Sequence, residues 1–277
     1  MNPAIEILKE RGFFSAASDL EALNSELDSN KITFYVGCDP TGKSLHIGHM
    51  VPYFAAHYLQ ELGHNPIALV GGGTAMIGDP SGKTEMRKML SKAEIDENKK
   101  NIKNQLKSVI DFDNKDKTKG KAIMLDNADW ILNLNYIDFL REIGKHFSVN
   151  KMLTYESYKK RLERGLSFIE FNYQLLQSYD FYMLYKNHNC HLQIGGDDQW
   201  GNMVNTAFEN ESVWVWTKKL PCDTPIDFRN CNDYYRNLYD EKTYEEYIES
   251  ILNEIKSNID NILSTGLPLD ISTIDID

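Results

Sequence analysis

The chain has 277 residues, 42% of them hydrophobic and 11% aromatic, enough for one large unit with a sizeable core. Of its net charge of −11, most sits late: residues 201–277 hold 15 Asp and Glu against 6 Lys and Arg, which excludes that stretch as a phosphate-binding surface and reads as a solvated acidic face. No apolar run nears the ~20 residues of a membrane span, the start "MNPAIEILKERG" has no signal-peptide core, and Cys38, Cys190, Cys222 and Cys231 show no CxxC spacing, so a cytoplasmic protein without structural zinc or disulfides is expected.

In chain order, "ITFYVG" (32–37) predicts a short buried strand, followed by a helix over 46–62. A second strand, "PIALVGG" (66–72), precedes a helix over about 92–110, and the polar loop 111–120 leads to a third strand, "KAIMLD" (121–126). Helical patterns cover 136–146, 151–164 and 168–185, before a fourth strand, "CHLQIGG" (190–196). From Tyr244 to Ile262 apolar residues recur every three or four positions, the mark of one amphipathic helix over 241–263. Strands alternating with helices imply an α/β fold, a parallel sheet covered on both faces. In such sheets ligands sit beyond the C-terminal strand ends. The unusual residues all fall there: "GCDPTGKSLHIGH", "GGGTAMIGDPSGK" and "GGDDQW".

The chemistry of these loops suits a nucleotide. His46 and His49 lie one turn apart at a helix start, where free N–H groups and a partial positive charge favour phosphate. Gly48 between them lets a flat ring approach the backbone. By itself a histidine pair near a helix start is more often an ordinary surface or core feature than a site. Lys83 and Arg87 sit on a Gly/Ser/Pro-rich stretch that could close over a charged leaving group, or be plain solvated charge. Gly195 and Gly196 permit close ligand approach, with Asp198 in reach of a ribose hydroxyl and Asp197 completing the turn. Tyr173, Gln177 and Asp180 fall at i, i+4 and i+7, one polar stripe on a helix otherwise rich in Phe, Leu and Tyr.

Five segments, "YVGCDPTGKSLHIGH", "ALVGGGTAMIGDPSGK", "GKHFSVNKML", "SFIEFNYQLLQSYDF" and "LQIGGDDQWGN", together resemble the catalytic domain of bacterial-type tyrosyl-tRNA synthetases, class I enzymes with a Rossmann-like sheet and a HIGH motif. The resemblance spans roughly residues 1–205 and implies activation of tyrosine with ATP to tyrosyl-adenylate, then transfer to tRNA. It implies that Thr41 and His46 stabilise departing pyrophosphate, with Lys83 and Arg87 beside them, and that His49 lies nearer the ribose. Asp79, Tyr173 and Gln177 would receive the α-ammonium, Tyr35 and Asp180 the phenol, Gln193 and Gln199 the carboxylate region, and Asp198 the ribose; Asp39 and Gly48 belong to the nucleotide motif. A magnesium ion would accompany ATP. The stretch from Ile137 to Phe171 corresponds to the family's connecting insertion, where Phe168 would face a second subunit of a homodimer.

Past Asn202 the resemblance breaks. The family's KMSKS lysine loop and its C-terminal tRNA-binding domains are missing; "KMLSK" at 88–92 sits in the wrong loop, and Lys218 and Lys219 could substitute only if "VWVWTKKLP" folds back over the site. The expected organisation is a catalytic-type domain over 1–220, with a helical insertion at about 127–188, and a remodelled acidic extension over 221–277. Two readings follow: a tyrosine-activating enzyme with weakened tRNA use, or a paralog that binds tyrosine or its adenylate without charging tRNA.

Overall fold

The computed structural model describes residues 1–77, 90–154, 158–159, 162, 165–196, 199, 203 and the backbone of 214–218. The chain divides into two units, Met1–Asp223 and Thr224–Asp277, and every described residue belongs to the first. The helix expected over 241–263 therefore lies outside the described residues, as do Asp79, Lys83, Arg87, Asp198 and Lys219.

Among the described residues six strands form one sheet, in the order β1-β6-β5-β2-β3-β4. Four are the expected ones: β2 (Thr33–Cys38), β3 (Asn65–Val70), β4 (Ile123–Asp126) and β5 (Cys190–Gly196). They pair in parallel, with β2 central between β3 and β5. Sequence reading missed two more. β6 (Trp214–Lys218) runs parallel to β5, and the two-residue β1 (Ala16–Ala17) closes that edge antiparallel to β6.

Buried strand residues alternate between two helical layers. Tyr35, Ile67 and Leu69 pack with Phe181 and Leu184 on one side. Opposite them α3 (Ile47–Glu61) contributes Met50, Val51, Phe54 and Leu59, all buried. A sheet covered on both faces needs apolar residues at successive strand positions, which is why β3 reads "PIALV" rather than alternating.

Two N-terminal helices were not foreseen. α1 (Pro3–Glu10) is capped by Asn2, whose side chain accepts from Ala4 N–H, and α2 (Leu20–Ser29) by Asp19, which accepts from Ala22 N–H. Their apolar stripes are short, Ala4, Ile5 and Leu8 in α1 and Leu23 and Leu27 in α2, so periodicity alone gave a weak signal. α4 (Lys92–Leu106) begins with a full capping box between Ser91 and Glu94, which fixes where the helix starts.

After β4 come the short α5 (Ala128–Ile131), then α6 (Tyr136–Glu142) with a 3-10 turn over Gly144–His146, and α7 (Val149–Met152). The helix expected over 151–164 is thus different at its start, with Met152 ending a four-residue turn. α8 (Phe168–His188) is longer than expected by three residues at its C-terminus and packs against β5. Among the described residues no helix is long and apolar enough to cross a membrane.

Candidate active site

Loops leaving the C-terminal ends of β2, β3 and β5 converge on one cavity, which is also reached by α3 and α8. β2 is where the strand order reverses, β3 and β4 lying to one side and β5 and β6 to the other, so this is the crevice of a topological switch point. From the β2–α3 loop come Asp39 and Thr41; from α3 come Gly48, His49 and Pro52. β3 and its turn supply Leu69, Gly71 and Thr74, while β5 and the residues after it supply Gln193, Gly195, Gly196, Gln199 and Met203. The polar stripe of α8, Tyr173, Gln177 and Asp180, faces the same space, as the spacing predicts.

At the end of the cavity beside the start of α3, His46 is itself the helix N-cap. Its Nδ1 accepts from His49 N–H at 3.3 Å, so the ring's other nitrogen carries the proton of the neutral form. The two imidazoles stack with centroids 3.6 Å apart and planes 20° from parallel. His49 lines the cavity; His46 lies just outside that lining, against His49. Pro52 removes the N–H that would meet the Gly48 carbonyl, opening the helix ladder beside the cavity.

The other end is dry and crowded with hydrogen bonds. Asp180 is 4% exposed; its Oδ1 accepts from Trp130 Nε1 at 2.7 Å and its Oδ2 from Asn127 Nδ2 at 2.9 Å. Burial pushes its carboxyl up to about 7, the nearby Asp39 and Asp126 charges adding to the rise while the two donors oppose it. Tyr35 is 2% exposed, and burial first, then Asp180, drives its hydroxyl well above the usual range, so it stays protonated and can donate. Tyr35 Oη and Gln177 Oε1 are buried polar atoms that make no hydrogen bond to the protein. Buried groups of that kind mark where a ligand's polar atoms fit.

Asp39 holds the middle. Tyr173 Oη donates to its Oδ2 at 2.9 Å and Thr74 Oγ1 to its Oδ1 at 2.7 Å. Gly71 must be glycine, because a Cβ there would collide with the Asp39 carboxylate and the Thr74 hydroxyl. At Gly195 the close approach is to the protein itself: a Cβ would meet Met203 Sδ at 2.6 Å, so this glycine admits Met203 as well as edging the cavity. Backbone pairing sets Lys218 opposite Gly196, at the same end of the sheet as the cavity's glycines.

The cavity thus gathers Tyr35, Asp39, Thr41, Gly48, His49, Tyr173, Gln177, Asp180, Gln193, Gly195 and Gln199 of the expected site residues, with His46 stacked at its rim. Asn127, Trp130 and Thr74 were not foreseen. Asn127 and Trp130 follow the C-terminal end of β4, the same kind of position that singled out the other loops, and that was the available signal.

A parallel sheet with a two-ended cavity at its switch point and a histidine-capped helix start defines the class: the nucleotide-binding α/β fold of class I synthetases. Residues 27–209 match the family model described as tRNA synthetases class I (W and Y). A tyrosine–tRNA ligase of Treponema denticola is 61% identical over 204 residues, 74% of this chain and 49% of that protein. One from Clostridium tetani is 56% identical over 203 residues, covering 73% and 49%. Among solved structures, a C-terminally truncated mitochondrial tyrosyl-tRNA synthetase of Coccidioides posadasii superposes with a TM-score of 0.68 at 27% identity, over 79% of this chain and 67% of that one. That of Aspergillus nidulans reaches 0.74 over 92% and 85%, at 23% identity, a likeness of fold. The chain belongs to the class I tRNA synthetase family of the tryptophanyl and tyrosyl enzymes. It spans about half the length of the curated relatives it matches.

Proposed function

We propose that the protein activates tyrosine with ATP, forming tyrosyl-adenylate and pyrophosphate, and passes the tyrosyl group to tRNA. The observation that carries this reading is Asp180: a buried carboxylate held by Asn127 and Trp130, in the same cavity as Thr41 and His49. A phenol donating to Asp180 and accepting from Tyr35 fills both groups; phenylalanine leaves them unpaired, which disfavours it strongly.

The chemistry needs no general base, because the amino acid's carboxylate is already the nucleophile. One of its oxygens bonds to the α-phosphorus of ATP as the bond to the pyrophosphate oxygen breaks. The protein's task is to hold the two in line and to stabilise the charge that leaves. Tyr173, Gln177 and Asp79 anchor the ammonium, joined by Asp39, which the sequence groups with the nucleotide motif but which Tyr173 hydrogen-bonds; Gln193 and Gln199 flank the carboxylate; Asp198 holds the ribose. Thr41 and His46, at the positive end of α3, meet the phosphates, joined by Lys83 and Arg87, and His49 lies nearer the ribose. A magnesium ion brought in with ATP would neutralise phosphate charge and would be held mainly by phosphate oxygens and water, since the described carboxylates Asp39 and Asp180 already accept from protein donors.

Exposed apolar residues gather between Leu132 and Ile169, with Ile137 at 67% and Phe168 at 69% exposed. Such a patch supports a homodimer built on the connecting insertion. We assign residues 1–220 to the catalytic-type domain and 221–277 to the acidic extension. The acidic stretch is the less suited of the two to tRNA contact, since it repels phosphate.

Tyrosine-dependent exchange of labelled pyrophosphate into ATP, run with and without tRNA, tests the activation step. Exchange above the blank is expected. Exchange at the blank, beside clear tyrosine binding by calorimetry, would falsify the enzymatic reading and leave the binding paralog.

A further inference from the structure

The two carboxylates of the cavity, Asp39 and Asp180, are joined by a continuous run of hydrogen bonds through two side chains. Thr74 Oγ1 donates to Asp39 at 2.7 Å and accepts from Asn127 Nδ2 at 3.0 Å; the same Nδ2 donates to Asp180 at 2.9 Å. Neither link can be turned round. Gly73 N–H, which only donates, meets Asn127 Oδ1 at 2.8 Å and so fixes the amide's orientation. Thr74 commits its one proton to Asp39, so toward Asn127 it can only accept. Thr74 and Asn127 are 2% and 1% exposed, so bulk solvent replaces a lost partner poorly.

We propose that Thr74 is a positioning residue that couples recognition of the ligand's ammonium end at Asp39 to recognition of its phenol end at Asp180. This rests on the tyrosine-binding reading above. Without the hydroxyl, Asp39 loses a donor and Asn127 Nδ2 is left with a single acceptor, so each carboxylate is held independently of the other. With the hydroxyl, an ammonium docking on Asp39 draws on the same run of hydrogen bonds that aims Asn127 at Asp180. Charge acts in the same sense: Asp39 is among the groups that disfavour ionised Asp180, and an ammonium beside it offsets that repulsion.

The test uses four ligands measured by ligand-observed NMR and calorimetry on the full chain: L-tyrosine, L-phenylalanine, 3-(4-hydroxyphenyl)propionate and 3-phenylpropionate. They carry the hydroxyl and ammonium together, singly or not at all. The gain in affinity from the hydroxyl is compared with and without the ammonium. In the unaltered protein the hydroxyl is expected to be worth about tenfold more when the ammonium is present, a coupling within the usual range for groups in one network. In Thr74→Val that excess should shrink to within about twofold, and Thr74→Ser should restore it; Thr74→Ala, which adds no methyl beside Asp39, carries the same expectation as Val should that variant not fold. A variant that weakens all four ligands by one factor, or keeps the excess, overturns the coupling and leaves Thr74 a structural residue. Failure of the unaltered protein to prefer tyrosine over phenylalanine instead overturns the tyrosine-binding reading.

Discussion

Asp180 lies 4% exposed beneath Asn127 and Trp130, whereas His46 and His49 stand exposed at the first turn of α3 with their rings stacked 3.6 Å apart. One end of the cavity is finished before any ligand arrives. In the proposed reaction the other offers donors to a group that enters, reacts and departs. The contrast fits a division of labour: selectivity needs buried groups that suffer when left unpaired, while the leaving-group end needs contacts that strengthen only as the bond breaks.

The sharpest way to separate the two ends is to damage each alone. His46→Ala should lower the rate of adenylate formation by several hundredfold, about the cost of losing one positioned donor, with the tyrosine dissociation constant within about twofold of the unaltered protein. Stopped-flow or exchange rates beside calorimetry read both numbers, and a comparable loss of tyrosine affinity would merge the two ends. Asp180→Ala should do the reverse, weakening tyrosine about a hundredfold while phenylalanine changes little. Trp130→Phe, which keeps the ring and removes one donor to Asp180, should cost about tenfold in the preference for tyrosine over phenylalanine. Equal losses for both amino acids would make Trp130 a packing residue.

A smaller effect follows from the Asp180 carboxyl, raised by burial to about 7. A phenol donor favours the ionised form, so tyrosine binding should expel a proton near neutral pH. Affinity should be level above about pH 8 and fall, by at most about tenfold per unit, as pH drops below 7. Phenylalanine offers the carboxylate nothing and should bind slightly better as pH falls. Calorimetry in buffers of different ionisation enthalpy counts the proton, and parallel profiles for the two amino acids would contradict the assignment. Smallest of all, Ile137→Asp should halve the mass seen by light scattering and leave tyrosine affinity unchanged, since the exposed patch is separate from the cavity lining.

The readable parts of this chain were those where local pattern and final position coincide. β5 spans the residues expected of it, and the polar stripe of α8 was visible because three polar groups at helical spacing interrupt an apolar run. What escaped was whatever depends on distant partners. Asn127 meets Asp180 across 53 positions of chain, and Thr74 meets Asp39 across 35, so neither has a local signature beyond following a strand end. β6 escaped for a related reason: its five residues become a strand by pairing with β5 and β1, which no spacing within "VWVWTK" records. Gly195 was legible as a residue needing room, but the occupant of that room is Met203.

A non-hydrolysable tyrosyl-adenylate mimic, tyrosyl sulfamoyl adenosine, puts the shared cavity to its most direct trial. Titrated against tyrosine and against AMP in separate competition experiments, it should displace both and bind more tightly than either by a factor of at least about a thousand, as one linked molecule filling both ends. Displacement of only one of them, or affinity no better than tyrosine alone, would mean that Asp180 and the histidine-capped end of α3 do not serve a single ligand.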